Sequence, residues 1–404
     1  MNNNQSESDE SKQAESLAVL SGKGGSGKTV MALSMARVLA EAGVKVLLID
    51  CDLATHGATY FLEPEFSGPF LSVLSLSDML LQKELSGVSP LKAKAGFAFI
   101  PSTLDPAEKH EYTSDVEQVM KLPWSSLVRV YGAIILDCQA GYSDTTNWAA
   151  KVADRKLIVL EPDSISSAAL RVLSMQLGHS LRSSNTWQVF NKLTEEERPI
   201  YERVAGGTLF NNLPPLPFDW QVRAAFALGE IPSVLSTSSA FGLGILRLMQ
   251  RLFPGFKEQL EDLERKSVGD WYTTLNEKLQ VLHDMREGIK FRNFELERRR
   301  RVRMTTFLSY VGGAAGAVTI SYSISARFFE TPPGFEILAP MLGVLLVFAS
   351  AAYAYQVRND IRMEREQGLA REELERIQQD IQKFETLIST DPRLREYAIK
   401  FSRQ

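Results

Sequence analysis

Eight consecutive residues near the start of the chain, Gly22-Lys23-Gly24-Gly25-Ser26-Gly27-Lys28-Thr29, have the types and spacing to cradle phosphate. From Gly22 to Thr29 they satisfy GxxxxGK[ST], after an apolar run and before a helix-forming one, which is the context that gives the motif its meaning. The glycines let backbone N–H groups curl around an anion without clashes from Cβ atoms. Lys28 would bring a point charge to the outer phosphates, the Thr29 hydroxyl would coordinate Mg2+, and the helix opening here would add its positive dipole end. This chemistry implies a nucleoside triphosphate and Mg2+ as cofactors, with Gly24, Gly25, Ser26, Gly27, Lys28, Thr29 and Val30 as the nucleotide-contacting stretch. Three acidic residues close apolar runs elsewhere: Asp50 and Asp52 follow Val46–Ile49, and Asp137 follows Ala133–Leu136. The last has the form of a Walker B strand, whose aspartate is expected to hold Mg2+ through water. Four scattered histidines and two cysteines, Cys51 and Cys138, in separate apolar runs offer neither a metal-histidine cluster nor a disulfide framework.

Positioning those groups requires strands that end beside one another. Apolar runs suited to strands buried on both faces occur at Leu17–Ser21, Lys45–Asp50, Phe97–Ile100, Gly132–Asp137, Lys156–Leu160 and Trp187–Phe190. Helix-forming segments such as Val30–Ala42 and Ser166–Arg182 are long enough to serve as crossovers. The alternation predicts an α/β fold, a doubly wound, mostly parallel sheet of the P-loop NTPase kind, with its site at the carboxyl ends of the strands.

Lys23 is not required by an ordinary P-loop. With it, the stretch resembles the KGGxGKT deviant Walker A of the MinD/ParA/Mrp family. The resemblance implies that Lys23 reaches the nucleotide of an opposing subunit in an ATP sandwich homodimer. Val46-Leu47-Leu48-Ile49-Asp50-Cys51-Asp52 looks like the family's strand ending in DxD, which would place Asp50 near the Mg2+ shell and make Asp52 the residue that orients the attacking water. The next five residues, Leu53-Ala54-Thr55-His56-Gly57, lack the Pro-Gln-Gly of plasmid-partition members. They are closer to the MinD-like and pilus-positioning branches, and DNA partitioning is accordingly disfavoured. After Asp137 the chain reads Cys138-Gln139-Ala140-Gly141, where the family more often has Pro or a small residue at the second position. Val189-Phe190-Asn191-Lys192 resembles the strand whose Asn191 would recognise adenine. Leu216-Pro217-Phe218-Asp219, followed by Arg223, Ala224, Gly229 and Pro232, resembles the segment that packs over the base, with Pro217 among the nucleotide contacts. The resemblance spans about Leu17 to Leu252 and leaves the rest of the chain uncovered.

The remainder has another character. From Trp271, steps of four and three reach Leu275, Lys278, Leu282, Met285, Ile289, Arg292 and Leu296, a coiled-coil-like seam. Ala370, Leu374, Ile377, Ile381, Phe384 and Ile388 repeat the spacing near the end. These helices are expected either to pair within one chain or to join copies into a higher oligomer. Between them, Met304–Ala326 and Ile337–Val357 are uncharged apolar runs near the roughly 20 residues that cross a bilayer. Arg298, Arg299, Arg300, Arg301 and Arg303 precede the first, and Arg358, Arg362 and Arg365 follow the second. Gly312 and Gly316 would let two such helices approach closely. The positive-inside rule then places a two-helix transmembrane hairpin in lipid of a bacterial-type inner membrane, with the ATPase domain and both termini cytoplasmic. The expected domains are a disordered tail over 1–15, an ATPase domain over 16–255, an amphipathic helix over 256–303, the hairpin over 304–357 and a second amphipathic helix over 358–404.

Lys and Arg number 45 against 49 Asp and Glu, a formal charge of −4, so nothing in the balance calls for nucleic acid. The expected function is an ATPase, hydrolysing ATP to ADP and phosphate, that works as a membrane-anchored dimerisation switch and positions or regulates an unidentified protein partner. Two alternatives have some support. Tyrosine autokinases share this P-loop type, but they carry the membrane part first and end in a tyrosine cluster, whereas Tyr397 is alone here. An ATPase-gated membrane assembly in stress or defence fits the small-residue first span, but no ionisable residue in either span marks an ion path.

Overall fold

A computed structural model describes residues 13–65, 73–81, 89–104, 115–205, 209–231, 239–328 and 335–401; side chains are undescribed through 309–350 and at a few later helical positions. It divides into two units, 1–271 and 272–404.

The first unit is built on an eight-stranded sheet. In chain order the strands are β1 (Glu15–Leu20), β2 (Val46–Cys51), β3 (Leu91–Lys92), β4 (Ala98–Ile100), β5 (Ala133–Cys138), β6 (Arg155–Leu160), β7 (Thr186–Phe190) and β8 (Asn211–Asn212), arranged β3-β4-β2-β5-β1-β6-β7-β8. Every pairing is parallel except β3 with β4. All six apolar runs form strands. The two missed strands have two residues each, too short for any periodicity to mark them. The chain leaves β1 toward β2 on one side, and later passes from β5 to β6 on the other, so the loop after β1 opens at the switch point, where the strand order changes direction.

Alternation along the strands builds two cores. Leu17, Val19, Leu48 and Ile135 face one side, and Ala18, Leu20, Leu47, Ile49, Ile134 and Leu136 the other. On the first side lie α1 (Lys28–Glu41) and α9 (Ala240–Leu252), with Met31, Met35, Leu39, Ile245 and Met249 fully buried. On the second lie α3 (Leu76–Leu80), α4 (Val116–Val130), α5 (Asp144–Val152) and α6 (Ser164–Leu177), around Met120, Trp148 and Leu173. The period of two also places chemistry. Asp50 follows Leu48 and Asp137 follows Ile135 on the α1 side, while Cys51 and Cys138 turn to the opposite core. Helices α2 (Gly57–Leu62), α7 (Arg198–Ala205) and α8 (Trp220–Ala227) complete the unit.

A final helix, α10 (Lys257–Phe328), begins inside this unit. Leu260, Leu263, Val268 and Trp271 are buried, and the wholly buried carboxylate of Glu264 accepts hydrogen bonds from Arg247 Nε at 2.9 Å and Gln250 Nε2 at 2.8 Å. The first turns of α10 therefore belong to the core of the first unit.

In the second unit α10 continues, α11 (Phe335–Thr390) returns and α12 (Pro392–Phe401) ends the described chain. Lys278 Nζ meets Asp380 at 2.7 Å, Arg300 pairs with Glu364, and Arg299 lies 3.9 Å from the Met363 sulfur. Numbers rising on α10 while falling on α11 mean that the two helices run antiparallel and pair within one chain. The four-three positions face this seam: Leu282, Leu296 and Ile381 are buried, and Leu275, Met285, Ile289, Leu374 and Ile377 half-buried. Arg292 departs from the pattern and is exposed. Among the described residues no helix is long and apolar enough to cross a membrane. The transmembrane hairpin expected over 304–357 thus has no support from the structure; most of both runs lies outside the residues whose side chains are described. Residues 1–12, most of the expected tail, and Pro232 also lie outside the described residues.

Candidate nucleotide site

The carboxyl ends of β1, β2 and β5 bring the Gly-rich loop and two aspartates together. The loop passes from Ser21 to Gly27 and becomes α1 at Lys28. Gly25 and Gly27 take φ of +82° and +92°, a backbone region that other L-residues rarely adopt. At Gly27 a Cβ would also lie 2.4 Å from Asn191 Nδ2; at Gly24 and Gly25, both exposed, it would meet no described protein atom within 4 Å. Gly22 has a different reason, since a Cβ there would stand 2.4 Å from the backbone carbon of Ala169 in α6. The α1 N-terminus has neither a side-chain cap nor an acidic residue in its first turn, so its first N–H groups remain available to an anion.

Asp50 and Asp137 are register neighbours on β2 and β5, both fully buried. Burial is the main reason that each carboxyl titrates high, Asp50 at about 6 and Asp137 at about 7. Asp50 is restrained by hydrogen bonds from Thr59 and the Asp52 amide. Asp137 is raised further by Asp50 and eased by Lys28 and the Thr29 hydroxyl. Asp137 Oδ1 and Ser26 Oγ are buried and have no hydrogen-bond partner among the described residues. Two acidic groups raised by burial, one with an unused oxygen, beside Lys28 and a threonine hydroxyl suit a hydrated divalent cation with phosphate. Bound Mg2+ would supply positive charge to neutralise the phosphates, and Thr29, Asp50 and Asp137 are the residues that would hold it.

Other candidates have protein partners. Lys23 Nζ lies 2.6 Å from both Glu161 and Asp163, just past β6, and these contacts raise its pKa. Lys192, with φ of +60°, shares Glu161 at 2.9 Å and donates to the Gly25 carbonyl. Asn191 is buried, its Nδ2 donating to the Ser26 carbonyl at 2.9 Å. The residue expected to read a base therefore braces the loop. Asp52 accepts from the amides of Ala54 and Thr55 at 3.1 and 2.8 Å and from the Thr55 hydroxyl, so it caps its own turn. Pro217 bridges to Leu193, next to Asn191 and Lys192. Val30 lies half-buried in α1.

Sequence reasoning missed Glu161 and Asp163. Their only signal is a pair of acids after an apolar run, and their proximity to Lys23 depends on β6 lying beside β1. Thr59, which hydrogen-bonds to Asp50, and Ser102, which hydrogen-bonds to Thr59, carry no signal.

Residues 14–186 match the model of a family described as an AAA domain. The matched stretch, a P-loop domain, takes in the Gly-rich loop, Asp50, Asp137, Glu161 and Asp163. The chain is 26% identical over 243 residues to an uncharacterized ATP-binding protein of Methanocaldococcus jannaschii, covering 59% of this chain and 88% of that protein. It is 28% identical over 152 residues to a putative septum site-determining protein MinD of Guillardia theta, covering 37% of this chain and 54% of the relative, so it spans about half that relative's length. Among solved structures it is similar to MinD of Pyrococcus horikoshii complexed with Mg-ADP, at a TM-score of 0.49 and 20% identity over 61% of this chain and 98% of that one. A plasmid partition protein of Borrelia burgdorferi bound to AMPPNP gives 0.48 and 18%, over 59% and 99%.

Proposed function

We propose that this protein binds and hydrolyses Mg-ATP, and that the bound nucleotide joins two copies into a state that engages a protein partner. The observation that carries the reading is the cluster at the switch point: an uncapped helix N-terminus, Lys28 and Thr29, above buried Asp137 with an unpartnered oxygen. In hydrolysis a water oxygen bonds to the γ-phosphorus as the bond to the β-phosphate oxygen breaks; ADP and phosphate leave, and the water's proton passes to phosphate or solvent. Lys28 stabilises charge on the transferred group, and Asp52, once its turn releases it, orients the water. Lys23 supports the two-copy part of the reading: it stands at the loop with exchangeable acidic partners, free to leave them for a nucleotide across an interface.

Membrane attachment rests on the sequence alone, through the uncharged runs within 304–357 and their arginine flanks. We place the ATPase unit on the cytoplasmic side of that membrane, and further association of copies through the α10–α11 arm is part of the same proposal.

Binding of a fluorescent ATP analogue with Mg2+ tests the core claim. Lys28→Ala should abolish binding, and unchanged affinity would end the assignment. Asp52→Ala should keep binding, slow phosphate release and accumulate dimer in sedimentation.

A further inference from the structure

Behind the carboxyl ends of β2 and β4, four side chains form one hydrogen-bonded line. The Thr59 hydroxyl lies 2.7 Å from Asp50 Oδ2, and the Thr59 N–H donates to the same oxygen at 2.8 Å. Ser102, two residues past β4, donates its N–H to Thr59 Oγ1 at 2.9 Å and has its own Oγ 3.0 Å from that atom. His56 Nδ1 lies 2.8 Å from Ser102 Oγ. Thr59 is 4% exposed and Ser102 0%, so solvent does not replace these partners.

Counting protons gives the line a direction. An ionised Asp50 only accepts, so Thr59 spends its one hydroxyl proton on it. Thr59 Oγ1 can then only accept, and Ser102 Oγ must donate to it. That uses the single Ser102 hydroxyl proton, which leaves His56 Nδ1 as the donor at the far end. The line runs His56 to Ser102 to Thr59 to Asp50. It holds the imidazole with its proton on Nδ1.

His56 occupies a left-handed conformation, φ +52°, between the Asp52 turn and α2. Such backbone persists in a non-glycine residue when surrounding contacts hold it, and the Ser102 contact is the one its side chain makes across the fold. A Cβ at the next residue, Gly57, would stand 3.1 Å from Thr29 Oγ1, so this loop lies directly against the P-loop threonine. Asp50 Oδ1 meanwhile accepts the Asp52 N–H at 3.0 Å. The carboxylate is thus gripped from both sides by the loop it helps to shape.

We propose that His56, Ser102 and Thr59 are positioning residues for the magnesium-nucleotide site, acting through Asp50 and tying the Asp52–Gly57 loop to the segment after β4. The proposal rests on the Mg-ATP reading above. Losing a group that orients a metal-directed ligand typically costs about tenfold or more in metal affinity or activity.

The test uses the full chain and two readouts: the Mg2+ concentration for half-maximal binding of a non-hydrolysable ATP analogue, and phosphate release. His56→Gly keeps the left-handed backbone and removes the donor; His56→Asn tolerates that backbone and offers an amide N–H near the place of Nδ1. The glycine variant should need about tenfold more Mg2+ and hydrolyse about tenfold more slowly, with magnesium-free ATP affinity and melting temperature near the parent's. The asparagine variant should recover most of both losses. Thr59→Val and Thr59→Ser ask the same question from the other end, and decide it if His56→Gly does not fold. A parent-like Mg2+ requirement in His56→Gly, or in Thr59→Val, would overturn the proposal. So would an asparagine variant as impaired as the glycine one. If the parent itself binds no Mg-ATP, the reading of the site fails; if the parent binds and the variants match it, only this inference does.

Discussion

Replacing Asp137 by Asn should make the metal-free protein more stable at pH 8, and less so at pH 5. The Asp137 carboxyl is fully buried, neighbours Asp50 in register, and titrates at about 7 against an ordinary 3.8. Below 3.8 it is protonated in both folded and unfolded chains. Between there and about 7 the folded chain holds a proton that the unfolded chain has released, so stability falls as pH rises through this window. Above 7 the folded chain carries the full cost of a buried charge. Each pKa unit corresponds to about 1.4 kcal/mol, so the shift of about 3 units caps the effect near ~4 kcal/mol. The value of about 7 already includes the attraction of Lys28, so the expected gain at pH 8 is on the order of 4 kcal/mol, and about 1–2 kcal/mol at pH 5. For a domain of this size that amounts to several degrees in Tm.

The assay is thermal melting in EDTA at pH 5 and pH 8, followed by tryptophan fluorescence; Trp148 is buried edge-on against Trp124 in the sheet's second core. Adding Mg-ATP should then reverse the ranking at pH 8, because the parent gains ligand stabilisation that the variant has lost. If Asp137→Asn melts at or below the parent at pH 8 without metal, its carboxylate is not under electrostatic stress and the argument for a cation at this oxygen collapses.

Lys23→Ala should leave nucleotide affinity and Tm close to the parent's, since its pairs with Glu161 and Asp163 are partly exposed, but abolish nucleotide-driven dimerisation in light scattering. Glu264→Ala removes a wholly buried acceptor from Arg247 and Gln250 and should lower stability by about 2–3 kcal/mol in urea unfolding, with nucleotide affinity retained. Deleting 304–357 should move the protein from carbonate-washed membrane pellets to the supernatant; a full-length chain already in the supernatant refutes the anchor.

The sheet was legible because its central strands are nearly continuous apolar runs, which period and length alone mark as buried on both faces. Strand order was not, and the site depends on it. Nothing local to Glu161 or Asp163 says that β6 lies next to β1, and nothing local to Ser102 says that β4 lies next to β2. Motif residues were therefore found and their partners missed. The helical seam was legible for a similar reason, since a four-three spacing specifies a buried stripe whatever covers it. Whether its partner helix came from the same chain could not be read from the spacing. Antiparallel ion pairs such as Lys278–Asp380 answer that, and they depend on how the two helices meet rather than on either spacing.

The internal partners have an energetic consequence. Lys23, Asn191 and Asp52, all directed by sequence toward a nucleotide or its water, are hydrogen-bonded to the protein instead, as is Lys192. Exchanging such a bond for one to a ligand gains little, because a net hydrogen bond is worth only about 1 kcal/mol once the lost partner is counted. Those residues can move between states at low cost, which is what a switch requires. Asp137 Oδ1 and Ser26 Oγ differ, being buried with no bond to give up among the described residues. A partner brought to them removes a desolvation penalty of about 1–3 kcal/mol each without breaking anything. Affinity for a magnesium nucleotide should accordingly be concentrated at the loop floor and the β5 carboxylate. The exchangeable lysines and Asp52 should govern the steps after binding, so their substitution should alter dimerisation and turnover far more than the dissociation constant.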